Sequence, residues 1–426
     1  MRVLMLSWEY PPVLVGGLGR HVHALATSLA AAGHDVTVVT RYGDGAALDE
    51  RVEGVRVVRA PEDPPLFPLT NHTLLAWTMA FNHALTRAAL AVTVDTPVDV
   101  VHAHDWLVTH AAVTLKHHLG APLVATVHAT EAGRHQGWLP NDTNRCIHSV
   151  EWWLTYEARR VLVCSDHMRW EVSRLFDLPG GKVEVIPNGV DIQAWQAPSS
   201  AIARVRQQYA GSGPLLVYAG RLVYEKGVQD LIAALPRLRR RHPGLRLVVA
   251  GEGPHGDALR DEVKRRRLQR CVTFTGFLSQ DQLPALLGAA DCVVVPSLYE
   301  PFGMIALEAG AAGTPVVAAA SGGLAKLIEP GVTGMTFPAG DQDRLVEAVS
   351  SVLSDEILAR RLARRAREVA AARYGWPSIA ERTVAAYQRA LRDEQVLQER
   401  LAAGAAPTVM PRIVVPEGNL LAQDAT

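Results

Sequence analysis

Pro296-Ser297-Leu298-Tyr299-Glu300-Pro301-Phe302-Gly303-Met304-Ile305-Ala306-Leu307-Glu308 follows the apolar run Cys292-Val293-Val294-Val295. The run reads as a parallel strand buried on both faces. Pro296 and Pro301 interrupt regular structure. From Gly303 good helix formers begin, with Ala306, Leu307, Ala309, Ala311 and Ala312. Strand, loop and helix in this order are the repeating unit of an α/β sheet. Gly303 stands at the helix start, and its missing Cβ admits a ligand close to the backbone. The first N–H groups of that helix lack partners within it and favour an anion such as phosphate. Glu300 precedes the helix and Glu308 lies more than one turn inside it. That separation does not suit a paired acid and base. It suits a grip on two hydroxyl-bearing parts of one ligand, with phosphate between them. The plain alternatives are a Glu300 that caps the helix and an exposed Glu308.

The same alternation runs outward in both directions. Near the start, Val3 to Ser7 reads as a strand, Val15-Gly16-Gly17-Leu18-Gly19 as a glycine-rich loop, His21 to Leu29 as a helix and Val36 to Thr40 as the next strand. Such a βαβ loop lets backbone N–H groups approach a pyrophosphate, or simply turns the chain tightly. The strand at Val98-Asp99-Val100-Val101 ends in His102-Ala103-His104-Asp105-Trp106, and that at Pro122 to Val127 ends in His128. Polar residues at these strand ends face the ligand crevice of an open α/β sheet. His102 and His104 alternate onto one face, and with His128 and Glu131 they would offer the ligands of a metal-dependent hydrolase. A buried, hydrogen-bonded histidine is the plain alternative for one of the pair. Further on, the strand Leu215 to Ala219 runs into Gly220-Arg221-Leu222-Val223-Tyr224-Glu225-Lys226-Gly227. An Arg fork and a Lys point charge just past a strand suit a diphosphate.

The pattern predicts two Rossmann-like, doubly wound α/β domains facing a cleft. The expected divisions are 1–194, 195–375, a long helix at 376–401, and a mostly disordered tail at 402–426 with Pro407, Pro411 and Pro416. At 426 residues, 48% hydrophobic and 20% charged, the chain supports two sizeable cores. Lys+Arg 43 balances Asp+Glu 43, which gives no bulk charge for nucleic acid or membrane. No apolar run has transmembrane length, and no signal peptide is visible. Cys146, Cys164, Cys271 and Cys292 are scattered, as expected of buried, reduced residues in the cytoplasm.

Glu300 to Glu308 resembles the E-x7-E motif of retaining glycosyltransferases of the glycosyltransferase 4 type, which have the GT-B fold of two facing Rossmann-like domains. Gly16-Gly17, His128, Arg221, Lys226 and the E-x7-E stand in that family's order. The resemblance implies that Glu300 contacts the donor sugar and Glu308 the nucleotide ribose, while the backbone of Gly303, Met304 and Ile305 meets the phosphates. It implies that Gly16 and Gly17 close over those phosphates and that Arg221 and Lys226 neutralise the leaving diphosphate. Leu278 would meet the base through its backbone, and His128 would position the donor sugar. Ser7-Trp8-Glu9-Tyr10-Pro11-Pro12 and His102-Ala-His-Asp-Trp106 resemble actinobacterial glycogen-synthase-like α-1,4-glucosyltransferases. Those enzymes build glycogen, maltose 1-phosphate and methylglucose polysaccharides. Asp105 and Trp106 are then acceptor contacts.

The activity so implied is retaining transfer of glucose from a nucleotide diphosphate glucose to an α-1,4-glucan or related acceptor, with no bound metal or other cofactor. ADP-glucose is favoured. However, Leu14 stands where ADP-glucose-dependent synthases carry the Lys of K-x-G-G, which leaves UDP-glucose open. A GDP-mannose-dependent mannosyltransferase acting on a lipid, and a sugar-binding module without catalysis, are the competing readings.

Overall fold

The computed structural model describes residues 1–61, 68–70, 72–279, 281–404, 415 and 417–422. The chain divides into two compact units, Met1–Pro187 with Trp376–Thr426, and Asn188–Gly375.

The first unit carries β1 (Arg2–Leu6), β2 (Asp35–Arg41), β3 (Asp49–Val52), β4 (Val55–Ala60), β5 (Val100–His104), β6 (Leu123–Val127), β7 (Arg160–Val163) and β8 (Val183–Val185). Their order in one sheet is β3-β4-β2-β1-β5-β6-β7-β8. Every pairing is parallel except β3 with β4. That hairpin turns on Glu53 and Gly54, both at positive φ, the backbone that two-residue hairpin loops require. Helices Gly17–Ala31 and Trp376–Ala402 share one core with the sheet, in which Val3, Met5, Val22, Leu25, Ile379 and Tyr387 are buried together. The last helix thus belongs to the first unit.

The second unit carries β9 (Leu215–Ala219), β10 (Arg246–Ala250), β11 (Val272–Gly276), β12 (Cys292–Val295), β13 (Val316–Ala319) and β14 (Met335–Phe337). All are parallel, in the order β11-β10-β9-β12-β13-β14. Along β12, Cys292 and Val294 join the core on one face, while Val293 and Val295 join the core on the other. Alternation onto two apolar faces explains why this strand is apolar throughout. Each fully buried Val contributes about 1.5–3 kcal/mol relative to leaving it exposed.

Three expectations need correction. The first division falls at Pro187 rather than at residue 194, because the Val190 N–H donates to the Tyr374 carbonyl at 2.7 Å and ties this stretch to the second unit. Cys146 is exposed, being on the outer side of helix Asp142–Glu157, whereas Cys164, Cys271 and Cys292 are buried; all four are free thiols. The expected disordered tail lies in part outside the described residues (405–414, 416 and 423–426). Its residues 417–422 are docked on the first unit. There Leu420 N–H donates to Gly137 O at 2.7 Å, and the Asn419 side-chain amide donates to Gln136 O at 3.1 Å.

Among the described residues no helix is long and apolar enough to cross a membrane.

Candidate active site

In both sheets the strand order reverses beside the first strand of the unit, between β1 and β5 and between β9 and β12. Chains leaving strands on either side of such a point diverge and open a crevice at the carboxyl ends. The singled-out residues fall on these loops. Gly16 and Gly17 follow β1, Asp105 and Trp106 follow β5, and His128 follows β6. Arg221 and Lys226 follow β9, Leu278 follows β11, and Glu300 to Ile305 follow β12.

In the second unit these loops are clasped tightly. Lys226 Nζ donates to Glu300 Oε2 at 2.8 Å, with side-chain exposures of only 16% and 13%. Ser297 Oγ donates to the same carboxylate oxygen at 3.2 Å, and Ser321 Oγ holds the Ser297 carbonyl at 2.6 Å. The Leu298 and Tyr299 N–H groups both reach the Glu225 carbonyl. Close backbone approach requires glycine at Gly227, where a Cβ would stand 1.9 Å from the Pro296 carbonyl oxygen. Gly303 caps helix Met304–Ala312 at φ +106, and a Cβ there would meet Leu324 at 2.4 Å. No side chain caps the start of this helix, an end that favours an anion. Arg221 is half-buried, and its carbonyl accepts from Tyr218 Oη at 2.8 Å. Burial, then the nearby Glu300 carboxylate, pushes the Tyr218 hydroxyl far above its ordinary range, so it remains a donor.

Glu308 is 1% exposed, which removes the reading of a solvated helix residue. Glu308→Ala is expected to weaken nucleotide binding by roughly tenfold or more, from loss of charge-assisted hydrogen bonds. Calorimetric titration with nucleoside diphosphate measures this, and unchanged affinity would remove Glu308 from the site.

In the first unit, Glu9 was not among the residues expected to matter. It is 3% exposed, and its Oε2 accepts the N–H groups of Val15 and Gly16 at 2.8 and 2.9 Å. Glu9 therefore shapes the glycine-rich loop from beneath. The Gly16 N–H is already engaged, so the N–H groups left for an anion are those from Gly17 onward, in the first turn of helix Gly17–Ala31. A side chain at position 19 would meet Leu14 at 2.6 Å and Glu9 Cβ at 3.0 Å, so Gly19 makes room for this arrangement.

Asp105 adopts φ +62, ψ 175, a conformation that non-glycine residues occupy only under constraint. Its Oδ1 accepts the backbone N–H of His128 at 2.7 Å. The carboxylate thus fixes the turn that presents His128. Trp106 is half-buried at the start of the short turn Trp106–Val108.

His102 is the structural histidine. Fully buried, it has Nδ1 2.7 Å from Tyr387 Oη and Nε2 2.7 Å from Thr126 Oγ1. Both nitrogens are used, so His102 leaves the proposed metal set. Glu131 leaves it too, since its carboxylate is engaged by Asn144 and lies 3.4 Å from His135. The histidines that do converge are His21, His104 and His128, with ligand atoms within 4.8 Å of one another. His104 Nδ1 lies 3.2 Å from His128 Nε2. Burial pushes His128 down to about 4 and His102 down to about 3, and holds His104 well below the ordinary imidazole range. These rings are neutral at pH 7.

The same shifts predict an acid-side loss of stability. The unfolded chain protonates these histidines near pH 6.5, whereas in the folded chain His102 and His128 are protonated only nearer pH 3–4. In that window the unfolded state binds more protons, so stability falls as pH falls. Tm is expected to drop progressively from pH 6.5 toward pH 4, with a shallower drop in His102→Gln. A flat Tm across this range would contradict the buried neutral rings.

Comparison with known proteins follows the same lines. Residues 15–194 match the sequence model of Glycosyltransferase Family 4, and residues 201–369 that of Glycosyl transferases group 1. A glycogen synthase of Mycobacterium tuberculosis is 47% identical over 412 residues, covering 94% of this chain and 98% of the relative. A D-inositol 3-phosphate glycosyltransferase of Kribbella flavida is 32% identical, covering 91% and 96%. Among solved structures, a sucrose-phosphate synthase from Thermosynechococcus elongatus superposes with TM-score 0.78 at 26% identity, covering 95% and 100%. The catalytic domain of starch synthase IV from Arabidopsis thaliana, bound to ADP and acarbose, gives 0.73 at 19% identity over 92% and 99%, a likeness of fold alone.

Proposed function

The chain belongs to the glycosyltransferase 4 family of hexosyltransferases with the GT-B fold, and from that premise we propose that it transfers glucose, with retention, from a nucleotide diphosphate glucose to an α-1,4-glucan or related glucosyl acceptor. The observation that carries the choice of sugar is the 47% identity to a glycogen synthase across 94% of the chain. ADP-glucose is the favoured donor. Leu14, in place of the Lys of K-x-G-G, keeps UDP-glucose as the second candidate.

The donor diphosphate sits against the bare N-terminus of helix Met304–Ala312, at the backbone of Gly303, Met304 and Ile305. Glu308 holds the ribose, Leu278 meets the base through its backbone, and Glu300 receives sugar hydroxyls. As the bond from C1 of the sugar to the diphosphate breaks, negative charge collects on the leaving oxygens. Arg221, Lys226 and the helix N-terminus stabilise that charge where it develops. Lys226 is held on Glu300 before the reaction, so its position is fixed in advance. The scheme uses no metal: Arg221, Lys226 and the helix N-terminus supply the positive charge.

His128 contributes a neutral ring that orients the donor sugar through hydrogen bonds, rather than a cation. Gly17 and the turn behind it, braced by Glu9 and anchored at Gly16, offer backbone N–H groups to a phosphate. Asp105 and Trp106 are the acceptor-side residues. Retention follows when the acceptor hydroxyl attacks from the face the diphosphate leaves, and a leaving phosphate oxygen takes its proton.

The test is nucleotide release from ADP-glucose, UDP-glucose and GDP-mannose, each with and without a short maltooligosaccharide. Release from a glucose donor that depends on the glucan is expected. Release from GDP-mannose, or from none of the three, would overturn the substrate assignment.

A further inference from the structure

Three imidazoles from separate elements meet in the first unit: His21 on helix Gly17–Ala31, His104 at the end of β5 and His128 just past β6. One ring nitrogen from each falls within 4.8 Å of the others, and the closest pair is 3.2 Å apart. Two nitrogens bound to one tetrahedral zinc at about 2.0–2.1 Å stand roughly 3.3 Å apart. The His104–His128 pair already has that spacing, and His21 closes the triangle after a small ring movement. The rings are packed rather than splayed. His21 meets His128 edge to face at 4.8 Å between centroids, and lies 5.8 Å from His104.

A hydrogen bond between His104 and His128 explains one side of this triangle. The convergence of a third imidazole on that pair is what makes the group a candidate metal site. His21 and His104 are 5% and 0% exposed, so the site is shielded from solvent. The ligand set is purely imidazole. Magnesium and calcium want oxygen ligands and are excluded by it, whereas zinc, nickel and copper suit it. Three protein nitrogens leave the fourth tetrahedral position to water.

From this geometry we infer that His21, His104 and His128 form a binding site for a borderline divalent cation, best matched by zinc, which inhibits the enzyme reversibly by withdrawing His128 from the donor sugar. The ion is not a participant in transfer. The binding half of the inference stands on the three side chains alone, and the inhibitory half rests on the function proposed above.

The test uses the full chain, tag-free and stripped with a chelator. Cobalt serves as a spectroscopic probe and zinc is titrated by calorimetry. One equivalent of each is expected to bind, and cobalt is expected to give the intense visible bands of a tetrahedral site. His21→Gln and His104→Gln should each lose more affinity than the roughly 10–100-fold that follows loss of a supporting partner. His110→Gln, outside the triangle, should bind unchanged. Circular dichroism and thermal melts establish that each variant is folded, and if His104→Gln is not, His21→Gln decides. Absence of stoichiometric binding, or full affinity in folded His21→Gln, would overturn the site. Saturating zinc is expected to lower turnover at least about tenfold, with recovery on chelation. Zinc bound at one equivalent with undiminished transfer would overturn the inhibition. A chain inactive on every donor would defeat the proposed transfer while leaving the cobalt spectrum to decide the metal site.

Discussion

Lys226→Ala is expected to lower kcat by about 10²–10³-fold, the cost of removing one preorganised group that stabilises developing charge. Lys226 is a cation held in place before any donor binds. It bonds Glu300 at 2.8 Å in a largely shielded environment, where charge is screened less than at a surface. The diphosphate gains negative charge as the sugar bond breaks, so the ammonium binds the transition state more tightly than the donor. Its loss should therefore appear in kcat far more than in nucleotide affinity. A nucleoside diphosphate should still bind within about tenfold of the parent. Lys226→Arg should restore part of the rate, since charge returns without the same point geometry. Normal turnover in Lys226→Ala would remove this residue from the mechanism. An equal fall in affinity and rate would make it a simple binding group.

Asp105 supplies the second large effect. Its backbone lies in a region natural only to glycine, and its carboxylate holds the His128 N–H at 2.7 Å. Asp105→Gly removes the strain together with the anchor. Its Tm is expected to stay the same or rise, because backbone strain of order 1–3 kcal/mol is relieved while one hydrogen bond is lost. Its kcat should nevertheless fall about 10²-fold, the scale of a small misplacement of a positioning group. Asp105→Asn keeps an oxygen acceptor for the His128 N–H and the same backbone strain, so it should retain most activity. A structural role would instead lower Tm and leave kcat little changed in Asp105→Gly. Equal losses in the Gly and Asn variants would show that the negative charge, rather than the hydrogen bond to His128, is what matters.

Much of this was legible in the sequence because its causes are local. Val293 to Val295 are apolar in succession because β12 is covered on both faces. Gly303 marks a helix start because its φ of +106 and its contact with Leu324 both exclude a side chain. Arg221, Lys226 and Glu300 stand directly after strands, and parallel pairing brings strand ends to one edge. Residues whose roles depend on distant packing were not legible. Glu9 looks like any residue beyond a strand until the chain folds Val15 and Gly16 back over it. His21 lies on a helix far in sequence from His104 and His128, and nothing local marks it as their neighbour. Conversely, the alternation that paired His102 with His104 was real, but Tyr387 from the last helix claims His102 across 285 residues.

The most direct measurement is the anomeric configuration of the product. Nucleotide-activated α-glucose labelled with carbon-13 at C1 would be incubated with a maltooligosaccharide and the mixture followed by NMR. The account predicts label appearing in an α-1,4 linkage at the non-reducing end, as the nucleotide diphosphate accumulates in equal amount. Label appearing in a β linkage, or remaining in the donor or in free glucose while the oligosaccharide stays unlabelled, would contradict it.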